Sequence, residues 1–132
     1  MKKFGLSKNE RIKLRKDFFN LYSKGQILYS SQYKLKANYY MESSVNEAGV
    51  KAAFVVSKKA GNAVWRNRVK RLLRVAYRLN KSCLSEQCKI KNKKLFVAFS
   101  PNNFNQKKNK NIGIEFIYSD FINLINQLKE KI

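Results

Sequence analysis

The residues best suited to chemistry lie together in Ser57-Lys58-Lys59-Ala60-Gly61-Asn62-Ala63-Val64-Trp65-Arg66-Asn67-Arg68-Val69-Lys70-Arg71-Leu72-Leu73-Arg74-Val75-Ala76-Tyr77-Arg78. On a helix advancing about 100° per residue, Asn67, Lys70, Arg71, Arg74 and Arg78 cluster opposite Trp65, Val69 and Ala76, and Arg66 and Arg68 fall on opposite flanks. The segment thus has a dry side and a cationic side. A guanidinium is a planar fork that grips phosphate oxygens two at a time and stacks on flat rings, which an ammonium does not do. A charged helix face is more often merely solvated. Solvated faces normally mix both signs, however, and between Ser57 and Cys83 there is no Asp or Glu.

A second candidate is the pair Phe18 and Tyr22, four apart and therefore on one helix face. By spacing alone the pair reads as core. Catalytic residues are harder to find. Hydrolysis by protein groups usually needs a general base, an acid, or carboxylates gathered to hold metal ions. The chain has no histidine, and its eight acids (Glu10, Asp17, Glu42, Glu47, Glu86, Glu115, Asp120 and Glu130) are scattered without a pairing motif. No catalytic residue and no protein metal site is assigned. Cys83 and Cys88 cannot assemble a Cys/His zinc site without histidine, and both are expected to be reduced structural thiols.

The elements that must position these residues follow from length and pattern. With 132 residues the chain is expected to form one domain, 1–132. Lys and Arg number 29 against 8 Asp and Glu, a net charge of +21, so a polyanion is the expected partner and nucleic acid the default one. Hydrophobic residues make up 44% of the chain, enough for a packed core. No apolar run approaches the roughly 20 residues of a membrane span, and Met1-Lys2-Lys3-Phe4-Gly5 lacks the apolar stretch of a secretory signal. A cytoplasmic location without membrane attachment is expected, and no obligate protein partner is evident.

The spacing of Phe18, Leu21 and Tyr22, followed by Gly25, predicts a short helix over 15–24. Over 29–40 the period becomes two. Tyr33, Leu35, Ala37 and Tyr39 share one face and Lys34, Lys36 and Asn38 the other, predicting a half-buried strand. A polar hairpin loop is expected over 41–49, then a strand over 50–57. The main helix runs from Gly61-Asn62, along the stripe Trp65, Val69, Leu72, Leu73 and Ala76, to an end near Asn80. Leu95-Phe96-Val97-Ala98-Phe99, stopped by Ser100-Pro101, is a third strand. Residues 102–113 read as a mobile low-complexity loop, and Ser119 as the cap of a closing helix with Phe121, Leu124, Ile125 and Leu128 inward. The expectation is an α+β sandwich, helices packed on one face of a three- to four-stranded sheet, in the order α-β-β(-β)-α-β-α with a βαβ crossover.

The run from Val56 to Arg78 closely resembles the signature of the protein subunit of bacterial ribonuclease P, in which an Arg-Asn-Arg helix follows a Ser-Lys-Lys-x-Gly-Asn-Ala turn. Asp17-Phe18 likewise looks like the start of that family's first helix. The resemblance implies a four-stranded sheet with a left-handed crossover. It further implies a subunit that joins a catalytic RNA and helps it cut the 5′ leader from precursor tRNA, with Mg2+ held mainly by the RNA and no protein-bound cofactor. Carried over, the contacts to the RNA subunit are Lys58, Lys59, Asn62, Arg66, Asn67, Arg68, Lys70, Arg71 and Arg74. The leader-binding residues are Phe18 and Tyr22, with Lys34 and Lys36 lining the same cleft. Some relatives carry an aromatic residue where Lys36 stands, and this departure leaves the stacking contribution of this strand open. The competing readings are a ribosomal or other structural RNA-binding protein, and, more weakly, membrane attachment through the basic amphipathic helix.

Overall fold

The computed structural model describes residues 10–132; the reading of Met1-Lys2-Lys3-Phe4-Gly5 lies outside them. The elements are α1 (Arg15–Lys24), β1 (Gln26–Tyr29), β2 (Leu35–Ser43), β3 (Gly49–Phe54), a 3-10 turn (Lys58–Ala60), α2 (Ala63–Lys91), β4 (Lys93–Pro101) and α3 (Ile114–Lys131). The order agrees with the sequence pattern, and the sheet has four strands.

The run Leu95-Phe96-Val97-Ala98-Phe99 is apolar at every residue, so successive side chains can be buried only if both faces of its strand are covered. β4 accordingly sits inside the sheet, whose order is β1-β2-β4-β3. Leu95, Val97 and Phe99 join Leu35, Ala37, Tyr39, Trp65, Leu73, Phe121 and Leu124 in the main core beneath α2 and α3. Phe96 and Ala98 point the other way and pack with Ile12 and Leu21, and with the half-buried Phe18, Tyr40 and Ala53. The α+β class therefore holds, but the layering on one face holds only for α2 and α3. Helix α1 covers the opposite face, because β4 has apolar side chains to bury there too.

Three local expectations change for physical reasons. The strand expected over 29–40 divides into β1 and β2, antiparallel and joined by a turn in which Tyr33 takes φ 60°. Three donors of that turn converge on one carboxylate oxygen of the buried Asp120 in α3: Ser30 Oγ at 2.5 Å, and the N–H groups of Gln32 at 3.2 Å and Lys34 at 3.4 Å. A partner so remote in the chain leaves no mark on the local alternation. Residues 41–49 do not form a hairpin either, since β4 lies between β2, its antiparallel neighbour, and β3, its parallel one. Helix α2, the crossover between β3 and β4, continues past Asn80 to Lys91, because Leu84 and Cys88 extend the buried stripe. Asn80 does not stop it: its amide donates to Ala76 O at 2.8 Å and to the Tyr118 hydroxyl at 3.2 Å. The stop is Asn92, in the left-handed conformation.

Segment 102–113 has more to bury than its composition suggests. Phe104 and Ile112 are buried, and the Phe104 ring lies edge-on to Trp65 and Phe116 at centroid distances of 6.1 and 5.3 Å. Trp65 Nε1 donates to Asn109 O at 3.0 Å, so the segment straps the start of α2. Helix α3 begins at Ile114 with Gly113 as its cap; Ser119 lies within it, and Phe121, Leu124, Ile125 and Leu128 are buried as expected. Both cysteines lie in α2 as free thiols. Cys88 is buried, and burial pushes its thiol up to about 11; Cys83 is exposed, so only Cys88 has a structural place.

Candidate nucleic-acid interface

The first turn of α2 is built by backbone constraints on SKKAGNA. Ser57 Oγ accepts from Lys59 N at 3.2 Å and caps the 3-10 turn, leaving Lys58 and Lys59 exposed. Gly61 is needed for close approach: a Cβ there would meet Trp65 Cε3 at 2.7 Å and Gln106 Oε1 at 2.8 Å. Asn62 is the helix cap, its Oδ1 accepting from Trp65 N at 2.9 Å, and its own N–H donates to Gln106 Oε1 at 2.8 Å. Asn62 thus shapes the site, and only its amide nitrogen is left to point outward. Gln106 was not singled out by sequence, because its role depends on the strap folding back over α2.

Beyond the cap, Trp65, Val69, Leu73 and Ala76 are buried and Leu72 is half-buried. That fixes the rotation of the helix and leaves Asn67, Arg71 and Arg74 exposed, with Lys70 and Arg78 half-exposed beside them. Arg66 Nε donates to Gly61 O at 3.1 Å, and Arg68 Nε donates to Ile112 O at 2.8 Å. Each bond ties a guanidinium down by one nitrogen and leaves its terminal nitrogens for a phosphate, so less freedom is lost on binding. Arg74 lies over the Phe54 ring, 5.8 Å from its centroid. Among the described residues the ion pairs are Lys81–Glu10 and Lys94–Glu47, so no carboxylate neutralises this face between Lys58 and Arg78. The structure brings the expected RNA-facing residues together on one surface.

The second set is only partly brought together. Phe18 is half-buried against the sheet face that α1 covers, and Tyr22, one turn further, is 52% exposed. Lys36 shares that face, since it alternates with the core residues Leu35 and Ala37. Lys34 does not. It precedes β2, and its ammonium reaches the first turn of α3 on the opposite face, donating to Phe116 O at 3.0 Å and lying 4.3 Å over the Phe116 ring. Lys34 lies in the turn before β2, where α3 holds its N–H through Asp120 and its ammonium through Phe116 O, so strand alternation does not govern its side chain. Sequence missed two residues on the α1 side: Ile27 and Tyr29 of β1, which stand opposite Asn38 and Lys36.

The eight carboxylates stay dispersed, and among the described residues no three Cys, Asp or Glu side chains come close enough to share a metal ion. No helix of the described residues is long and apolar enough to cross a membrane.

Fold and surface together define a small α+β protein with a cationic face on α2 and, on the other side of the sheet, the half-buried Phe18 and exposed Tyr22 of α1. Comparison with known proteins gives the class a family. Residues 6–116 match the Ribonuclease P family, and the chain belongs to it. Curated relatives named ribonuclease P protein component include those of Syntrophus aciditrophicus, 38% identical over 82 residues, and Clostridium novyi, 37% identical over 93. The first match covers 61% of this chain and 64% of that protein, the second 70% and 76%. The fold is that of the RNase P protein from Staphylococcus aureus, with TM-score 0.63 at 25% identity over 95% of this chain and 93% of that one. The Thermotoga maritima protein superposes equally well, with TM-score 0.63 at 23% identity over 92% and 96%.

Proposed function

We propose that this chain is the protein subunit of a cytoplasmic ribonuclease P, acting as one domain that binds a catalytic RNA through α2 and the 5′ leader of precursor tRNA through the groove between α1 and the sheet. The observation that carries this reading is the acid-free face of Lys58, Lys59, Asn67, Lys70, Arg71 and Arg74, flanked by Arg66 and Arg68, each held by a backbone carbonyl. A solvated helix face would mix signs and leave its arginines free.

The protein's part is positional. Its charge offsets the repulsion between two RNAs, and Phe18 and Tyr22 offer ring faces to leader bases of any sequence, with Lys36 beside them for the phosphates. The dispersed carboxylates and the lack of histidine support placing the hydrolytic chemistry and its Mg2+ ions on the RNA. The test is reconstitution: at low magnesium, adding this protein to a bacterial ribonuclease P RNA should accelerate 5′ cleavage of precursor tRNA. No stimulation would sink the proposal.

A further inference from the structure

We infer that Tyr29 and Tyr33 form a second stacking platform for the single-stranded leader, beside the groove of Phe18 and Tyr22, so that β1 supplies the aromatic surface that Lys36 does not. This rests on the leader-binding reading above.

The register sets the geometry. Tyr29 is opposite Lys36, and Lys36 is opposite Ser100, so all three share the sheet face on which α1 sits. Among the described residues, helix α1 packs chiefly on β2 and β4 of that face rather than on β1. There Tyr29 is 44% exposed and Tyr33 61% exposed, with ring centroids 6.2 Å apart. Lys36 lies one strand inward, between the pair and the α1 groove.

Folding alone does not account for these rings. Tyr33 holds φ 60°, a left-handed conformation that disfavours a side-chain-bearing residue and that glycine or asparagine adopts more readily. Its ring joins neither core cluster. Yet the backbone beneath is firmly held: Tyr33 N donates to Ser30 O at 2.9 Å, Tyr33 O accepts from Asn102 Nδ2 at 2.9 Å, and Asp120 ties down the residues on either side. Two exposed rings at the end of β1 and in the turn after it, on the face that Lys36 shares with α1, suit a strand that alternates flat bases with phosphates. An apolar peptide would gain nothing from Lys36.

The experiment uses the reconstituted holoenzyme and precursor tRNAs whose leaders lengthen from a single nucleotide. Tyr29→Ala and Tyr33→Asn, the latter chosen because asparagine tolerates the left-handed turn, should each weaken binding about 5-fold or more once the leader reaches the platform, the low end for one stacked base. The single-nucleotide leader should bind unchanged, and Tyr29→Phe should retain affinity at every length. If both variants bind all leaders normally while Phe18→Ala removes the preference for long leaders, the platform is wrong and the groove stands. If Phe18→Ala also leaves that preference intact, the leader reading falls and the platform with it. A loss equal at every leader length, matched by weaker binding to the RNA subunit, would place the rings against that RNA and overturn the inference.

Discussion

Replacing Arg66 and Arg68 tests the interface at the point where the structure is most specific. Each guanidinium spends one nitrogen on a carbonyl, Gly61 O or Ile112 O, and keeps its terminal pair for one phosphate. One phosphate contact contributes about 0.7 to 0.9 to the slope of log K against log salt, so Arg66→Ala and Arg68→Ala should each lower the slope by just under one, and the double variant by about 1.4 to 1.8. Arg66→Lys separates charge from geometry. Lysine keeps the charge and so nearly the full slope, but it cannot bond Gly61 O and grip a phosphate with a fork at once, so affinity should fall while the slope stays. Filter binding of the RNA subunit across a potassium chloride series measures both quantities. An unchanged slope in the double variant would mean that these arginines face away from RNA, and would refute an orientation of α2 with this face on the RNA.

Two further outcomes follow from the geometry. Lys36→Ala should weaken binding of long-leader precursor tRNA, whereas Lys34→Ala should leave it unchanged and lower stability, since Lys34 joins the β1–β2 turn to α3 through the Phe116 carbonyl and ring; the two are separated by leader-dependent affinity beside urea denaturation, and equal leader defects would contradict the assigned faces. Cys88 is protonated in the fold up to about 11, above its ordinary value of 9.0, so its contribution to stability is intact below pH 9 and is lost as pH rises from 9 towards 11. Unfolding free energy should decline across that window, with Cys88→Ala flattening the decline, and at pH 8 a thiol reagent should label the exposed Cys83 alone until the protein unfolds.

Much of the basic surface was legible in sequence because it depends on one helix. Once Trp65, Val69 and Leu73 are buried, a 3.6-residue period dictates where Arg66, Arg68, Arg71 and Arg74 point. Gly61-Asn62 was readable as the start of that helix, but the capping role of Asn62 was not. The leader groove was less legible. Phe18 and Tyr22 share a helix face, but spacing alone assigned that face to the core, and only the second apolar face of β4 shows why α1 lies on the far side of the sheet. Lys34 went to the other side of the sheet because it precedes β2 and is held by Asp120 and Phe116 of α3, partners too remote in the chain to mark the local pattern.

The sequence by itself thus determined the class of elements, the polarity of α2 and the charge that calls for a polyanion, since each depends on neighbours within a turn or two of chain. Tertiary structure decided what depends on residues far apart: Asp120 closing the β1–β2 turn, β4 inserting between β2 and β3, Gln106 and Ile112 bracing the start of α2, and Tyr29 arriving beside Lys36. Periodicity gives the direction of a side chain within its own element. Which element comes to face it is settled only when both sides of the sheet compete for cover.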